Sequence, residues 1–375
     1  MMDKFINKLC LDSNDQRNVI EEIRNSKEPL VLWGNGVIAH IIMAILQVYK
    51  ISVSAICVDV RENADEACGI AIKSWREIDE EYDSYNVIVG HSAYELGSLI
   101  QTTHSRIHKM FYFPSVDYGY ALFRKELIKE NLDGYKKVLE MLEDDESREC
   151  IIAFLNTRMS GDISYTLSVF KKRNTFFRND VYEIGNQEVY WDIGACDGDT
   201  ISQFLEESQV KYEQIVAMEP DSNNIRKLRT YIKEAELKNV YPFEIGAWET
   251  NTELLFETLP NKCSRIIEAD TWEGSAKIKA DTIDHILELE QQVKPPTLLK
   301  FDYGIGVREA LKGAAQVLRQ HYPKLAIGIG FDEYSFVDII STIKAINSDY
   351  KLYARFNTGM ASTIFLYGIC KGEER

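Results

Sequence analysis

The strongest constraint in this sequence is the segment of residues 190–200, YWDIGACDGDT, in which an apolar strand leads through a glycine-containing turn into a helix. Gly194 and Gly198 allow the backbone to approach a ligand that a Cβ atom would exclude. Backbone N–H groups at the start of the helix lack intrahelical partners and can bind a polar group of that ligand. The segment therefore predicts the ligand-binding turn of a Rossmann-like domain.

Acidic residues around this turn restrict the ligand. Asp192 ends the strand and Asp199 lies beside the turn, and both can accept hydrogen bonds from an ammonium group. Negative charge at this place would repel a dinucleotide pyrophosphate. Glu219 ends the next predicted strand, twenty-five positions after Gly194, where an acid can accept hydrogen bonds from ribose hydroxyls. Together these residues favour S-adenosylmethionine over NAD.

The candidate site extends beyond the turn. Ala247 and Trp248 follow the third strand, where a backbone N–H and an apolar wall can face an adenine, although Trp248 can equally be a core aromatic. Asp302 ends the fourth strand and is the candidate for catalysis or substrate orientation, because open parallel sheets bind ligands beyond the carboxyl ends of their strands. The predicted cofactor-binding residues are Asp192, Gly194, Ala195, Asp197, Gly198, Asp199, Thr200, Glu219, Ala247 and Trp248.

Alternation of strands and helices occurs twice along the 375 residues. It predicts two Rossmann-like α/β domains, at residues 1–118 and 181–375. Residues 119–180 have apolar side chains at helical spacing and are predicted to form a helical connector. The last two predicted strands of the second domain are separated by only six residues, too few for a crossover helix, so they should be antiparallel.

Residues 181–375 resemble the FkbM family of S-adenosylmethionine-dependent methyltransferases. The resemblance is carried by the turn at 192–200, by residues 217–220 (AMEP), by residues 282–284 (TID) and by the stretch 298–314. It implies a class I methyltransferase sheet in the second domain, S-adenosylmethionine as cofactor, and O-methylation of a sugar or another small hydroxylated metabolite.

The sequence departs from the family pattern on the substrate side. The family pattern K-x-D-x-E-G-x-E becomes KFDYGIGV in residues 300–307, so Gly304 and Val307 replace both glutamates. Phe331 and Phe356 stand where relatives often carry polar or histidine residues. The loss of these acids and imidazoles predicts that no metal is bound there, and it removes most of the general-base capacity.

These departures leave three functional hypotheses open. The first is an O-methyltransferase for a small-molecule or glycan acceptor, in which transfer proceeds by proximity because the sulfonium methyl group is already activated. The second is a cofactor-binding scaffold or sensor without activity, and the third is a cofactor-dependent enzyme of altered chemistry. The predicted substrate pocket is apolar and is lined by Tyr303, Phe331, Tyr334 and Phe356.

A second candidate site lies in the N-terminal domain. Residues 34–39, GNGVIA, follow a strand and open a helix, and Asp59 ends the next strand. This arrangement is typical of dinucleotide-binding units and makes Gly34, Gly36 and Asp59 a candidate nucleotide site. The alternative is that the glycines serve only a tight turn and strand–helix packing.

Composition restricts the partners and the compartment. A formal net charge of −16 repels phosphate backbones, so we expect no nucleic-acid partner. Seven scattered cysteines without CxxC spacing, and an N-terminus without an apolar signal core, predict a cytoplasmic protein with reduced thiols. Residues 29–49 are uncharged, but their glycine turn predicts a strand and a buried helix rather than a membrane span. Assembly into a homo-oligomer stays open.

Overall fold

The computed structural model describes residues 2–12, 17–59, 66–91, 96–113, 124–171, 176–257, 265–267, 276–302, 306–330, 332–356 and 364–370. The chain divides into two compact units, each assembled from separate stretches. The first comprises Met1–Leu132, Glu149–Lys172 and Phe356–Ile364, and the second comprises Asp133–Arg148, Arg173–Arg355 and Phe365–Arg375. Residues of the predicted connector thus contribute to both units, and its limits stay a prediction.

The first unit contains a six-stranded sheet. In chain order, its elements up to the last strand are α1 (Asp3–Ile6), α2 (Arg17–Asn25), β1 (Leu30–Trp33), α3 (Val37–Val48), β2 (Ala55–Cys57), β3 (Glu66–Ala67), β4 (Ile70–Lys73), α4 (Trp75–Glu81), β5 (Tyr85–Val89), α5 (Gly97–Thr103) and β6 (Ile107–Phe111). The strand order is β3-β4-β2-β1-β5-β6. All neighbours pair in parallel except β3 and β4.

Residues 29–49 form β1, a glycine turn and α3, as expected from the sequence. Ile42, Ile45 and Leu46 of α3 are buried in one apolar core with Leu32 of β1 and Ile56 of β2. This packing explains why the helix carries no charge. In the described part of the chain, no helix is long and apolar enough to cross a bilayer.

Four helices follow: α6 (Lys125–Glu130), α7 (Leu132–Glu140), α8 (Asp145–Ser160) and α9 (Ser164–Val169). The Asp144 carboxylate accepts a hydrogen bond from the Ser147 backbone N–H at 2.8 Å and so satisfies a free donor at the start of α8. Residues 150–159 of α8 are all buried, and Ile151, Phe154 and Leu155 have no exposed surface. The predicted packing role of these helices agrees with that burial.

The second unit contains a large and a small sheet. Its remaining elements are β7 (Val189–Ile193), α10 (Asp199–Glu207), β8 (Gln214–Met218), α11 (Ser222–Glu234), β9 (Val240–Phe243), β10 (Gly246–Ala247), β11 (Thr252–Glu257), β12 (Arg265–Ile267), β13 (Ala276–Asp281), α12 (Ile283–Leu289), β14 (Leu298–Phe301), α13 (Val307–Lys312), α14 (Ala315–Gln320), β15 (Lys324–Ile329), α15 (Ser335–Ile346), β16 (Tyr350–Arg355) and β17 (Ile364–Cys370).

The large sheet has the strand order β16-β17-β15-β14-β7-β8-β9. The five strands from β15 to β9 are parallel, and β16 pairs with β17 in antiparallel fashion. The predicted antiparallel pair at the end of the chain is confirmed. After β7, the chain adds β8 and then β9 on one side of β7, and it returns to add β14 on the other side. This reversal makes a topological switch point between β7 and β14. Ligands of open α/β sheets bind at the carboxyl ends of strands at such a point.

The small sheet, with the order β10-β13-β11-β12, was not predicted. It lies in the chain between β9 and β14, and Phe256, Ile266 and Ile278 form its core. Three buried side chains give a weak periodic signal, which explains why the sequence pattern missed it.

Candidate functional site

The turn after β7 forms the centre of the candidate site. Gly194 and Gly198 have left-handed backbone conformations, with φ of +78° and +95°, and Cys196 between them has a φ of +48°. The N–H groups of Gly194 and Ala195 donate to the Met218 carbonyl oxygen at 3.0 and 3.2 Å, and so fix the turn to the end of β8. The turn therefore lies at the carboxyl edge of the sheet, between the ends of β7 and β8 and beside the switch point.

Gly198 has a different reason to be glycine from the one expected. A Cβ atom at this position would lie 2.8 Å from Tyr231 Cδ1 and 3.0 Å from Leu228 Cδ1, both on α11. Gly198 thus permits close packing of α10 against α11 as well as a left-handed backbone. That Gly198 also leaves room for a ligand stays a prediction.

Asp192 is fully buried and both of its oxygens are engaged. Its Oδ1 accepts from Lys300 Nζ at 2.8 Å, and its Oδ2 accepts from Thr200 Oγ1 at 2.6 Å. These bonds join the end of β7 to the start of α10. Each carboxylate oxygen retains a second lone pair, so contact of Asp192 and Thr200 with the cofactor stays a prediction.

Lys300 was not among the predicted site residues, and its ammonium lies against the end of β7 and the turn. Burial lowers the pKa of its ammonium, but the carboxylates of Asp192, Asp302 and Asp199 outweigh that effect and raise the pKa above its usual value. The strand register brings the two residues together: β14 pairs with β7 so that Lys300 lies beside Asp192. Two strands that end at the same edge thus bring a lysine and an aspartate together.

Glu219 lies directly after β8 and is nine-tenths buried. Its Oε2 accepts from the Cys196 N–H at 2.9 Å and its Oε1 from the Asp221 N–H at 2.8 Å. Burial raises the pKa of Glu219 to about 7, against the lowering effect of these two N–H groups. The residue lies at the turn as predicted, and it also holds the turn in shape.

Asp302 follows β14 at the same edge of the sheet and is half-buried. Its backbone N–H donates to the Ile193 carbonyl oxygen at 3.3 Å, which places it beside the end of β7. Burial raises the pKa of Asp302, and Lys300 partly opposes this rise. A carboxyl group with a raised pKa at a switch point has the properties of a candidate acid or base.

The remaining predicted cofactor residues are distributed along the turn and the small sheet. Asp197 is half-buried and Asp199 is exposed in the first turn of α10. Ala195 and Ala247 are buried, and Trp248 is half-buried and packs against the core of the small sheet. That packing favours the core alternative for Trp248, and contact with a cofactor stays a prediction for the other residues.

The substrate pocket is described only in part. Tyr303 and Phe331 lie outside the described residues, and Tyr334 is 44% exposed just before α15. Phe356 is 1% exposed, with its ring 6.5 Å from that of Phe154 and 6.4 Å from that of Phe170. Phe356 therefore packs within the core of the first unit, and its assignment to the pocket is corrected.

The residues of the family pattern near α12 and α13 have structural roles. Thr282 caps α12 by accepting from the His285 N–H, and Asp284 accepts from the Gln316 and Val317 N–H groups at the start of α14. Val307, at a glutamate position of the family, is 1% exposed. Within the described ranges, no group of three or more histidine, cysteine, aspartate or glutamate residues is arranged to hold a metal ion.

The three residues of the candidate nucleotide site in the first unit have different environments. A Cβ atom on Gly34, which has a φ of +114°, would lie 2.9 Å from the Gly90 carbonyl oxygen, so close packing requires this glycine. Gly36 has no atom within 4 Å of such a Cβ position. Asp59 is exposed, and its Oδ1 accepts from the indole N–H groups of Trp33 and Trp75. Packing accounts for Gly34, and nucleotide binding stays a prediction.

Comparison with known proteins gives a structural likeness alone. No protein-family model matches the chain, and no curated protein matches it in sequence. The crystal structure of methyltransferase FkbM from Methylobacillus flagellatus KT matches over 98% of each chain, with a TM-score of 0.66 and 20% identity. Fibrillarin from Aeropyrum pernix, in complex with S-adenosyl-L-methionine, has a TM-score of 0.33 and 12% identity over 50% of this chain and 70% of its own, too low to support an inference. The first likeness and the strand order of the large sheet show a class I methyltransferase-like α/β fold.

Proposed function

We propose that this chain is an S-adenosylmethionine-dependent methyltransferase that methylates a hydroxyl group of a sugar or another small metabolite. The proposal rests on one observation: the turn, Glu219 and Asp302 lie close together at the switch point of a methyltransferase-like sheet. The net charge of −16 supports a small-molecule or glycan acceptor over a nucleic acid.

The residues at the switch point fit this cofactor. Each oxygen of Glu219 accepts one backbone hydrogen bond and has a second lone pair, so acceptors remain for two ribose hydroxyls. The left-handed turn, in which Gly194, Cys196 and Asp197 are partly exposed, adds a surface on which the methionine part can lie. When bound, S-adenosylmethionine supplies a sulfonium methyl group that is already activated for transfer.

Asp302 is the group in this site that can act on the acceptor. Its carboxylate has no side-chain hydrogen bond among the described residues, and its raised pKa makes it a stronger base than an ordinary aspartate. We assign it to orient the acceptor hydroxyl and to take up its proton. Because an oxygen nucleophile attacks better as its proton is removed, this step adds to the effect of proximity.

A second candidate function is a cofactor-binding scaffold without turnover. It is favoured by the apolar, fully buried Val307 at a position where the family pattern has glutamate. Formation of adenosylhomocysteine by the purified protein, with a metabolite extract as the source of acceptors, separates the two candidates. The mass of the product identifies the acceptor and distinguishes methyl transfer from altered chemistry.

Asp302→Asn tests the assigned role. We expect turnover to fall about 100-fold or more, in the range usual for general bases, with the affinity for adenosylhomocysteine changed less than about threefold. Asp349→Asn is the matched control, since Asp349 is an exposed aspartate just before β16, the outermost strand of the sheet and three strands away from β14. Equal turnover by the Asp302 variant and the control would remove Asp302 from the mechanism.

A further inference from the structure

One buried side chain connects the separate parts of the turn. Lys300 Nζ lies 2.8 Å from Asp192 Oδ1, 3.1 Å from the Gly194 carbonyl oxygen and 3.3 Å from Thr200 Oγ1. These three acceptors belong to the end of β7, to the turn and to the first turn of α10. We propose that Lys300 is a positioning residue that holds residues 194–200 in the conformation that binds the cofactor. The identity of that cofactor rests on the proposed function.

All hydrogen-bond donors of the Lys300 ammonium group are used in these contacts. An ammonium has three N–H donors, and the three acceptors use all of them. The side chain is 1% exposed and Asp192 is 0% exposed, so water does not compete for these bonds. The ring of Phe176 closes another side, with Nζ 5.4 Å from its centroid. A buried charge with every donor engaged has little freedom to move.

The turn needs such a restraint because its backbone is unfavourable by itself. Cys196 adopts a left-handed conformation, with a φ of +48°, that costs free energy for a residue with a Cβ atom. The bond from Lys300 to the Gly194 carbonyl oxygen fixes the peptide plane two residues before it. Glu219 holds the Cys196 N–H from the other side. Lys300 and Glu219 thus restrain the turn from the two strands that flank β7, namely β14 and β8.

The competing explanation is that the Lys300–Asp192 pair only stabilises the sheet. Removal of one member of a buried pair leaves an unpaired charge, which would disturb the fold for either reason. Replacement of both members by neutral residues avoids that charge. The double variant Lys300→Met/Asp192→Asn also retains an amide that can hydrogen-bond Thr200, so the principal loss is that of the ammonium.

The same sheet offers a matched control. Lys324 Nζ lies 2.7 Å from Glu188 Oε1, and the two side chains are 16% and 4% exposed. This pair stands at the start of β15 and just before β7, at the amino edge of the sheet and away from the turn. The variant Lys324→Met/Glu188→Gln therefore removes a comparable buried pair without touching residues 194–200.

Amide hydrogen exchange on the ligand-free full chain tests the proposal. The N–H groups of Gly194, Ala195, Cys196 and Gly198 are hydrogen-bonded in the native turn and should exchange slowly. In the Lys300→Met/Asp192→Asn variant we expect exchange in residues 194–200 to be at least tenfold faster, with β8 and β15 unchanged, and adenosylhomocysteine affinity by calorimetry to be at least tenfold weaker. The control variant should match the wild type in both measurements at this turn.

Wild-type exchange rates in the turn of the Lys300→Met/Asp192→Asn variant would overturn the proposal, as would equal effects of the two double variants. If the first variant does not fold, Thr200→Val takes its place, because it removes one of the three acceptors of Lys300. We then expect amide exchange at the turn to be at least threefold faster than in the wild type, and an unchanged exchange rate would also overturn the proposal. The exchange result does not depend on which ligand binds. Failure of the wild type to bind adenosylhomocysteine would contradict the proposed function, while the exchange result would still decide the role of Lys300.

Discussion

Replacement of Gly198 by alanine tests the packing argument for the second glycine of the turn. At a φ of +95°, a residue with a Cβ atom costs about 1–2 kcal/mol relative to glycine. The new Cβ atom would also stand 2.8 Å from Tyr231 Cδ1 and 3.0 Å from Leu228 Cδ1, and displacement of packed side chains costs about 1–3 kcal/mol. We therefore expect the free energy of unfolding to fall by about 2–5 kcal/mol.

Urea denaturation followed by circular dichroism measures this change. Gly246→Ala is the matched control in the same unit, because its Cβ atom would meet nothing closer than 3.4 Å. We expect that control to change the free energy of unfolding by less than about 1 kcal/mol. If Gly198→Ala is as stable as the control while adenosylhomocysteine affinity falls, the glycine serves ligand approach and the packing argument is refuted.

Three further predictions concern the site. Burial raises the pKa of Glu219 to about 7, and hydrogen bonds from ribose hydroxyls favour its ionised form. The affinity for adenosylhomocysteine, measured by calorimetry, should therefore rise between about pH 6 and pH 8, and Glu219→Gln should abolish that rise. An identical rise in the variant would contradict this prediction. The same raised pKa means that the folded chain binds this proton more tightly than the unfolded chain, so the contribution of Glu219 to stability falls as pH increases from 4.5 to about 7. Excess chelator should leave methyl transfer unchanged, since Gly304 and Val307 replace both glutamates of the family pattern. A large loss of activity that one divalent metal restores would contradict this.

Much of the second unit could be predicted because its strands are apolar runs that end in glycine or an acid. The ends of β7, β8 and β14 were marked by Gly194, Glu219 and Asp302, and a parallel sheet brings such ends to one edge. The short connection between β16 and β17 predicted their antiparallel pairing by length alone.

The details that the sequence did not reveal depend on contacts between distant residues. The role of Lys300 required the register of β14 against β7, which no local pattern encodes. The packing of Phe356 against Phe154 and the packing of Gly198 against Tyr231 have the same origin. The sequence alone does not distinguish a glycine or an aromatic residue that faces a ligand from one that packs against a neighbouring helix.

Calorimetric titration of adenosylhomocysteine into the wild type, Glu219→Ala and Glu244→Ala tests the central claim most directly. Glu244 follows β9 as Glu219 follows β8, but it is exposed and pairs with Arg229, so its variant is the matched control. We expect the wild type and Glu244→Ala to bind alike, and Glu219→Ala to bind at least about tenfold more weakly, since loss of hydrogen bonds to a charged carboxylate costs about 1.5–3 kcal/mol. Equal affinity of all three proteins, or no binding by the wild type, would contradict a cofactor site at this turn.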